Sequence, residues 1–147
     1  TLNFRSVTAG LVLVIPLAVS QILSEVFMLF KGIDLNINSL PVAATAVGIG
    51  VDYGIYLTAR ISEEFQSSND YDLANRKALQ TTGKAIIFTA TTLIAGVIFW
   101  AFVDLKFQAE MGLLLGLLMS LNMINALVFI PALVKILKPK FVVERKI

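Results

Sequence analysis

Residues 40–61 read LPVAATAVGIGVDYGIYLTARI, an apolar run with an aspartate near its centre. At 1.5 Å per residue, about 20 helical residues cross a ~30 Å hydrocarbon core. In that medium every backbone polar group needs an internal partner, so a helix is the form such a run takes. An acid at the middle of a spanning helix costs roughly 2.5–3.5 kcal/mol, so Asp52 is expected to face protein or water rather than lipid. At helical spacing Pro41, Thr45, Gly48, Asp52 and Tyr56 share one face, and Gly50 and Gly54 form a GxxxG on a neighbouring one. Small residues of that kind let another backbone approach closely. Tyr53 projects about 100° from Asp52, so each needs a partner on a different helix. A midplane carboxyl beside such a contact is a candidate proton relay; the alternative is an interhelical hydrogen bond that only holds the bundle together.

Working outward, three more apolar runs reach spanning length, at about 7–30, 85–103 and 111–134, beside the second at 40–61. The expectation is an all-α membrane protein, a four-helix bundle forming one transmembrane domain. Hydrophobic residues make up 57% of the 147-residue chain and charged ones 15%, and the mean hydropathy is +0.83. Arg5, Arg60, Arg76, Lys77, Lys84, Lys135, Lys138, Lys140, Arg145 and Lys146 fall on one side of these spans. Lys31 and Lys106 fall on the other. The positive-inside rule then places both ends and the 62–84 loop in the cytoplasm. In that loop the stretch from Asp70 to Gln80 has helical spacing, with Ser68 or Asn69 as a cap, and reads as a solvated connector on the membrane surface.

The chain has no cysteine and no histidine, which removes disulfides, thiol chemistry and His-ligated metal. No nucleophile–base pair or metal cluster is legible, so neither an enzyme nor a cofactor is expected. A net charge of +2 is too small to suggest nucleic acid. The chain begins at Thr1, without a methionine, and is expected to be a piece of something larger.

The remaining polar residues inside the spans are candidates of lesser weight. Ala85, Thr89, Thr92 and Gly96 form a stripe, with Thr91 beside it. Thr89 and Thr92 lie at a depth suited to meeting Asp52, although threonines in membrane helices often bond their own backbone. Gly112, Gly116 and Ser120 form a small-residue stripe for packing, and Asn122 and Asn125 read as interhelical glue. Gln21 and Glu25, one turn apart in the first span, are possible solute-facing residues, with snorkelling of Glu25 as the alternative.

Taken together, FRS (4–6), GIDLNINSLPVAATAVGIGVDYGIYLTARISEEF (32–65), GKAIIFTATTLIAG (83–96) and PALVKILKP (131–139) resemble the resistance-nodulation-division (RND) superfamily. The nearest branch is the exporters related to the mycobacterial large membrane proteins and hopanoid transporters. The resemblance covers Phe4 to Pro139. It implies helices three to six of one six-helix half, with the C-terminal half favoured, in a bacterial inner membrane. It further implies an exporter of lipids or amphiphiles driven by the proton-motive force, with Asp52 as the coupling acid, Tyr53 as partner to the opposite half's aspartate, and Gly48 as the motif glycine. The multidrug branch has adjacent aspartates where this chain has Asp52-Tyr53. Expected partners are the other half, the extracytoplasmic domain, membrane lipids and a further copy of the chain. Competing readings are a sterol-sensing-type lipid sensor, a protein-translocation accessory subunit and a self-contained small transporter acting as an oligomer.

Overall fold

The computed structural model describes residues 7–32, 39–102 and 104–137, and among them no strand occurs. Five α-helices follow in order: α1 (Val7–Lys31), α2 (Ser39–Ser68), α3 (Tyr71–Ala78), α4 (Lys84–Ile98) and α5 (Lys106–Leu137). Among the described residues three helical stretches, Gly10–Lys31, Tyr71–Ile98 and Lys106–Leu137, are long and apolar enough to cross a membrane. The chain is therefore a multi-pass membrane protein. α2, at 30 residues, also has the length. It is more polar because Asp52 lies at its middle and Arg60, Glu63 and Glu64 in its later turns.

α5 is the central helix, packed against α1, α2 and α4. The direction of each pairing can be read from the close contacts of two glycines. A Cβ at Gly50 would meet Leu17 of α1 and Asn122 of α5, and one at Gly54 would meet Leu13 and Ile130. Moving along α2 thus means moving back along α1 and forward along α5, so α2 runs antiparallel to α1 and parallel to α5. Two apolar clusters fill the interior. One joins Tyr53, Leu57, Ile61 and Phe65 to Val12, Ala126, Ile130 and α3. The other joins Val42 and Ala46 to Met28, Leu114, Leu118 and Met119. Around them Leu29, Phe30, Phe88, Phe102 and Ile136 are exposed, the arrangement expected of a bundle whose surroundings are apolar.

Asparagines tie the helices together as the sequence suggested. Asn122 Nδ2 donates to the Ala46 carbonyl at 2.7 Å. Asn125 Nδ2 donates to Ser20 Oγ at 2.7 Å, and Ser20 Oγ donates to the Pro16 carbonyl at 3.0 Å, a polar chain from α5 to α1. Interhelical bonds of this sort contribute about 0.6–2 kcal/mol in a membrane.

The 62–84 segment differs from its expectation as a solvated loop. α2 continues through Ser68, supported by Arg60 pairing with Glu63 at 3.1 Å and Glu64 at 2.6 Å. It stops at Asn69, whose φ of 52° breaks the right-handed repeat. Asp70, rather than Ser68 or Asn69, caps α3, its carboxylate accepting from the Asp72 N–H at 2.9 Å. Ser68 instead donates to the Glu64 carbonyl within α2. α3 folds back and is packed, with Ala74, Asn75 and Ala78 buried. The Phe65 and Tyr71 rings lie 4.2 Å apart across the turn. Lys77 reaches Glu64 at 3.6 Å, Asp72 pairs with Lys135 at 2.6 Å, and Asn75 Nδ2 donates to the Pro131 carbonyl at 3.1 Å. A π-helical turn over Leu79–Gly83 carries the chain into α4. The third span, expected at 85–103, is α-helical to Ile98 and continues as a 3-10 turn over Phe99–Phe102. Arg5 and the basic residues after Leu137 lie outside the described residues.

Candidate functional site

α2 has two faces built for different purposes. Pro41, Thr45, Gly48, Asp52 and Tyr56 are all exposed, so the face drawn from their spacing is a real and open one. A Cβ added at Gly48 would meet nothing within 4 Å. The Thr45 hydroxyl donates to the Pro41 carbonyl, four residues back, and so does not reach towards Asp52. On the inner face Gly50 and Gly54 are both buried. A Cβ at Gly50 would lie 2.5 Å from Leu17 Cδ2 and 2.8 Å from Asn122 Cγ, so close that one of these side chains would have to move. At Gly54 the nearest atom would be Leu13 Cδ2 at 2.7 Å. The glycines therefore draw α1 and α5 onto α2, and that packing leaves Asp52 pointing out of this chain.

Asp52 and Tyr53 are separated accordingly. Tyr53 is 6% exposed and belongs to the cluster with Val12, Ala126 and Ile130. Its hydroxyl is buried and has no hydrogen-bond partner among the described residues. As the 100° offset implied, the two do not share a face.

The threonine stripe is not brought to Asp52. α4 packs on α5, and Ala85, Thr89, Thr91, Thr92 and Gly96 are exposed. The Thr89 hydroxyl bonds the Ala85 carbonyl, and Thr92 Oγ1 donates to the Phe88 carbonyl at 2.9 Å. Both hydroxyls return to their own helix, the alternative already open in the sequence. Gln21 Nε2 reaches Glu25 Oε1 at 3.4 Å. Glu25 is exposed, while the Gln21 side-chain amide oxygen is buried with no hydrogen-bond partner among the described residues. No cluster of metal-binding side chains occurs among the described residues.

The sequence did not reveal the Asn75–Pro131 bond or the buried hydroxyls of Ser20, Ser24, Thr58 and Ser62. For Ser20 a signal existed, since it stands four residues after Pro16, where back-bonding is common.

Comparison with known proteins supplies the frame for this geometry. The MMPL family matches over residues 1–146. The chain belongs to the MMPL family. Among curated relatives, membrane protein MJ1562 of Methanocaldococcus jannaschii is 28% identical over 133 residues, which is 90% of this chain and 34% of that protein. The hopanoid transporter HpnN of Rhodopseudomonas palustris is 29% identical over 105 residues, 71% of this chain and 12% of HpnN. The sulfolipid-1 exporter MmpL8 of Mycobacterium tuberculosis is 31% identical over 87 residues, 59% of this chain and 8% of MmpL8. This MMPL chain thus spans about a third of the archaeal relative's length and far less of the other two. No solved structure matches it.

Proposed function

We propose that this MMPL chain is part of the membrane domain of an exporter of lipids or other amphiphiles, driven by the proton-motive force, with Asp52 as the group that takes up and releases the proton. What supports this is the build of α2. Its inner face is closed against α1 and α5 by Gly50 and Gly54, and its outer face presents a carboxylate on a stripe otherwise made of Pro41, Thr45, Gly48 and Tyr56. A carboxylate facing hydrocarbon is costly, so the open face is suited to a second protein surface or to water. Its proposed cover is the other half of a full-length MMPL protein, or a second copy of this chain in its place. Proton uptake neutralises Asp52 and changes what that surface can pack against, which is how a proton can bias one helix arrangement over another.

Tyr53 is proposed as the hydroxyl of the same relay. Its ring lies inside the bundle, so pairing with a carboxylate of another half requires the ring to turn outward. Sidedness follows the charge count, with the α3 end in the cytoplasm of a bacterial inner membrane. The role is non-enzymatic, consistent with relatives named as transporters. The lipid class is proposed from those names, hopanoid and sulfolipid, and not from a pocket in this chain.

The test is Asp52→Asn in the full-length protein, expressed in cells in which the exported lipid can be followed. The expected result is retention of the lipid inside the cell with unchanged amounts of protein in the membrane. Undiminished export by a correctly inserted variant would return Asp52 to a structural role.

A further inference from the structure

Asn122 stands at a point where three facts meet. Its Nδ2 donates to the Ala46 carbonyl at 2.7 Å, its side chain fills the space that a Cβ on Gly50 would need, and it is 3% exposed. Ala46 and Gly50 are successive turns of one face of α2. The carbonyl of Ala46 is the acceptor for the Gly50 N–H in the helix ladder, so the asparagine amide adds a donor to a group within the helix it presses on. A side chain that both fills a glycine notch and bonds a carbonyl one turn away fixes the height and the rotation of that helix together. Apolar packing at Gly50 and Gly54 fixes the separation of the helices and restrains their rotation, and the hydrogen bond at 2.7 Å adds a directional restraint at one defined carbonyl.

The rotation set in this way decides where Asp52 points. Asp52 follows Gly50 by two residues and so lies about 200° around the helix, on the side away from Asn122. The exposure pattern agrees, with Ala46 and Gly50 buried and Gly48 and Asp52 open. Asn125, one turn further along α5, donates instead to α1, at Ser20 Oγ and the Pro16 carbonyl. Two asparagines of the same helix therefore have separable tasks.

Building on Asp52 as the coupling acid, we infer that Asn122 is a positioning residue for it, holding α2 in the rotation that presents the carboxylate to the open face. The residue acts through the helix and touches no proton itself. Its effect is read at Asp52, whereas a residue of merely structural importance would lower stability without singling out that carboxylate.

The experiment uses the full-length protein in membranes and N,N′-dicyclohexylcarbodiimide, which modifies carboxyl groups reachable from an apolar phase. Labelling of the Asp52 peptide is followed by mass spectrometry at one neutral pH, together with the melting temperature. Asn122→Leu removes the amide while keeping the branched shape in a larger side chain, and Asn125→Leu makes the same exchange at the neighbouring amide as a control. The inference expects Asn122→Leu to change the Asp52 labelling rate by about threefold or more, the scale of coupling between groups in one contact network. Asn125→Leu should leave the rate near that of the parent even where the two variants melt alike. If Asn122→Leu does not insert, Asn122→Ala gives the same comparison without added bulk near Gly50. Equal labelling in the Asn122 variant and the parent, or equal changes in the Asn122 and Asn125 variants, would overturn the inference. Absence of any labelling at Asp52 in the parent would instead overturn the proposed role of Asp52 itself.

Discussion

Adding one methyl group at Gly50 should cost more than adding it at Gly54 or Gly83. In Gly50→Ala the new Cβ would lie 2.5 Å from Leu17 Cδ2, 2.8 Å from Asn122 Cγ and 2.9 Å from Asn122 Nδ2. Leu17 can swing its tip aside, but Asn122 is held by its bond to Ala46 and gives way only by losing it. Overpacking of this kind costs about 1–3 kcal/mol. Loss of the interhelical bond can add about 0.6–2 kcal/mol. Gly54→Ala meets only the tip of Leu13 at 2.7 Å and Ile130 Cδ1 at 3.4 Å, so its cost belongs at the low end, about 1 kcal/mol. Gly83→Ala is the internal control. Gly83 has an ordinary helical φ of −60°, and a Cβ there would have its nearest neighbours, the Leu127 and Leu79 side chains, at 3.4 Å. Such a site tolerates alanine and gains about 0.4–1 kcal/mol through the less flexible unfolded chain. The assay is unfolding in mixed micelles, with helix content followed as the SDS fraction rises. The order of stability should be Gly83→Ala, parent, Gly54→Ala, Gly50→Ala. A Gly50→Ala protein as stable as the parent, or a Gly83→Ala protein as weak as Gly50→Ala, would refute the assignment of α2's inner face.

Further outcomes follow from individual side chains. Thr58 is fully buried and its hydroxyl has no partner among the described residues, so Thr58→Val should be neutral or stabilising, against the 1–3 kcal/mol that an orphaned polar group typically costs; a clear drop in stability would show that the hydroxyl is satisfied. Lys135→Glu sets two carboxylates opposite each other where Asp72 and Lys135 now pair at 2.6 Å. Because both side chains are well exposed, the loss should stay below about 1 kcal/mol, shrink with added salt and be reversed by Asp72→Lys, all readable in the same unfolding assay. Thr89→Val and Thr92→Val should leave carbodiimide labelling of Asp52 unchanged, since both hydroxyls are spent on their own helix; a shift in that labelling would place them nearer the acid than α4 allows.

Much of the architecture was legible because a bilayer leaves few choices. Apolar runs of spanning length must be helices, and the periodicity within 40–61 separated the open face of Asp52 from the glycine face, as the exposures of Gly48, Gly50, Asp52 and Gly54 now show. Asn122 and Asn125 were readable as glue because an amide inside an apolar helix has few other uses. The contacts between Asn75, Asp72 and the end of α5 were not legible, since they depend on α3 folding back over the bundle. A polar stretch bounded by Ser, Asn and Asp looks the same in sequence whether it is solvated or docked. The cap was misplaced by one or two residues for a related reason. Ser68, Asn69 and Asp70 can all cap a helix, and the left-handed turn at Asn69 selected Asp70. The expected threonine contacts with Asp52 were a matter of depth alone. Depth does not say which way a hydroxyl rotates or which helix lies between.

The most direct test of proton coupling at Asp52 is proton flux through the full-length protein. With parent protein and Asp52→Asn reconstituted in matched proteoliposomes and an imposed pH gradient, proton movement is followed by an interior dye while the lipid substrate is supplied. The parent should carry protons only when substrate is present, and Asp52→Asn should carry none under either condition. Substrate-dependent proton flux of equal size in the two proteins would contradict the account.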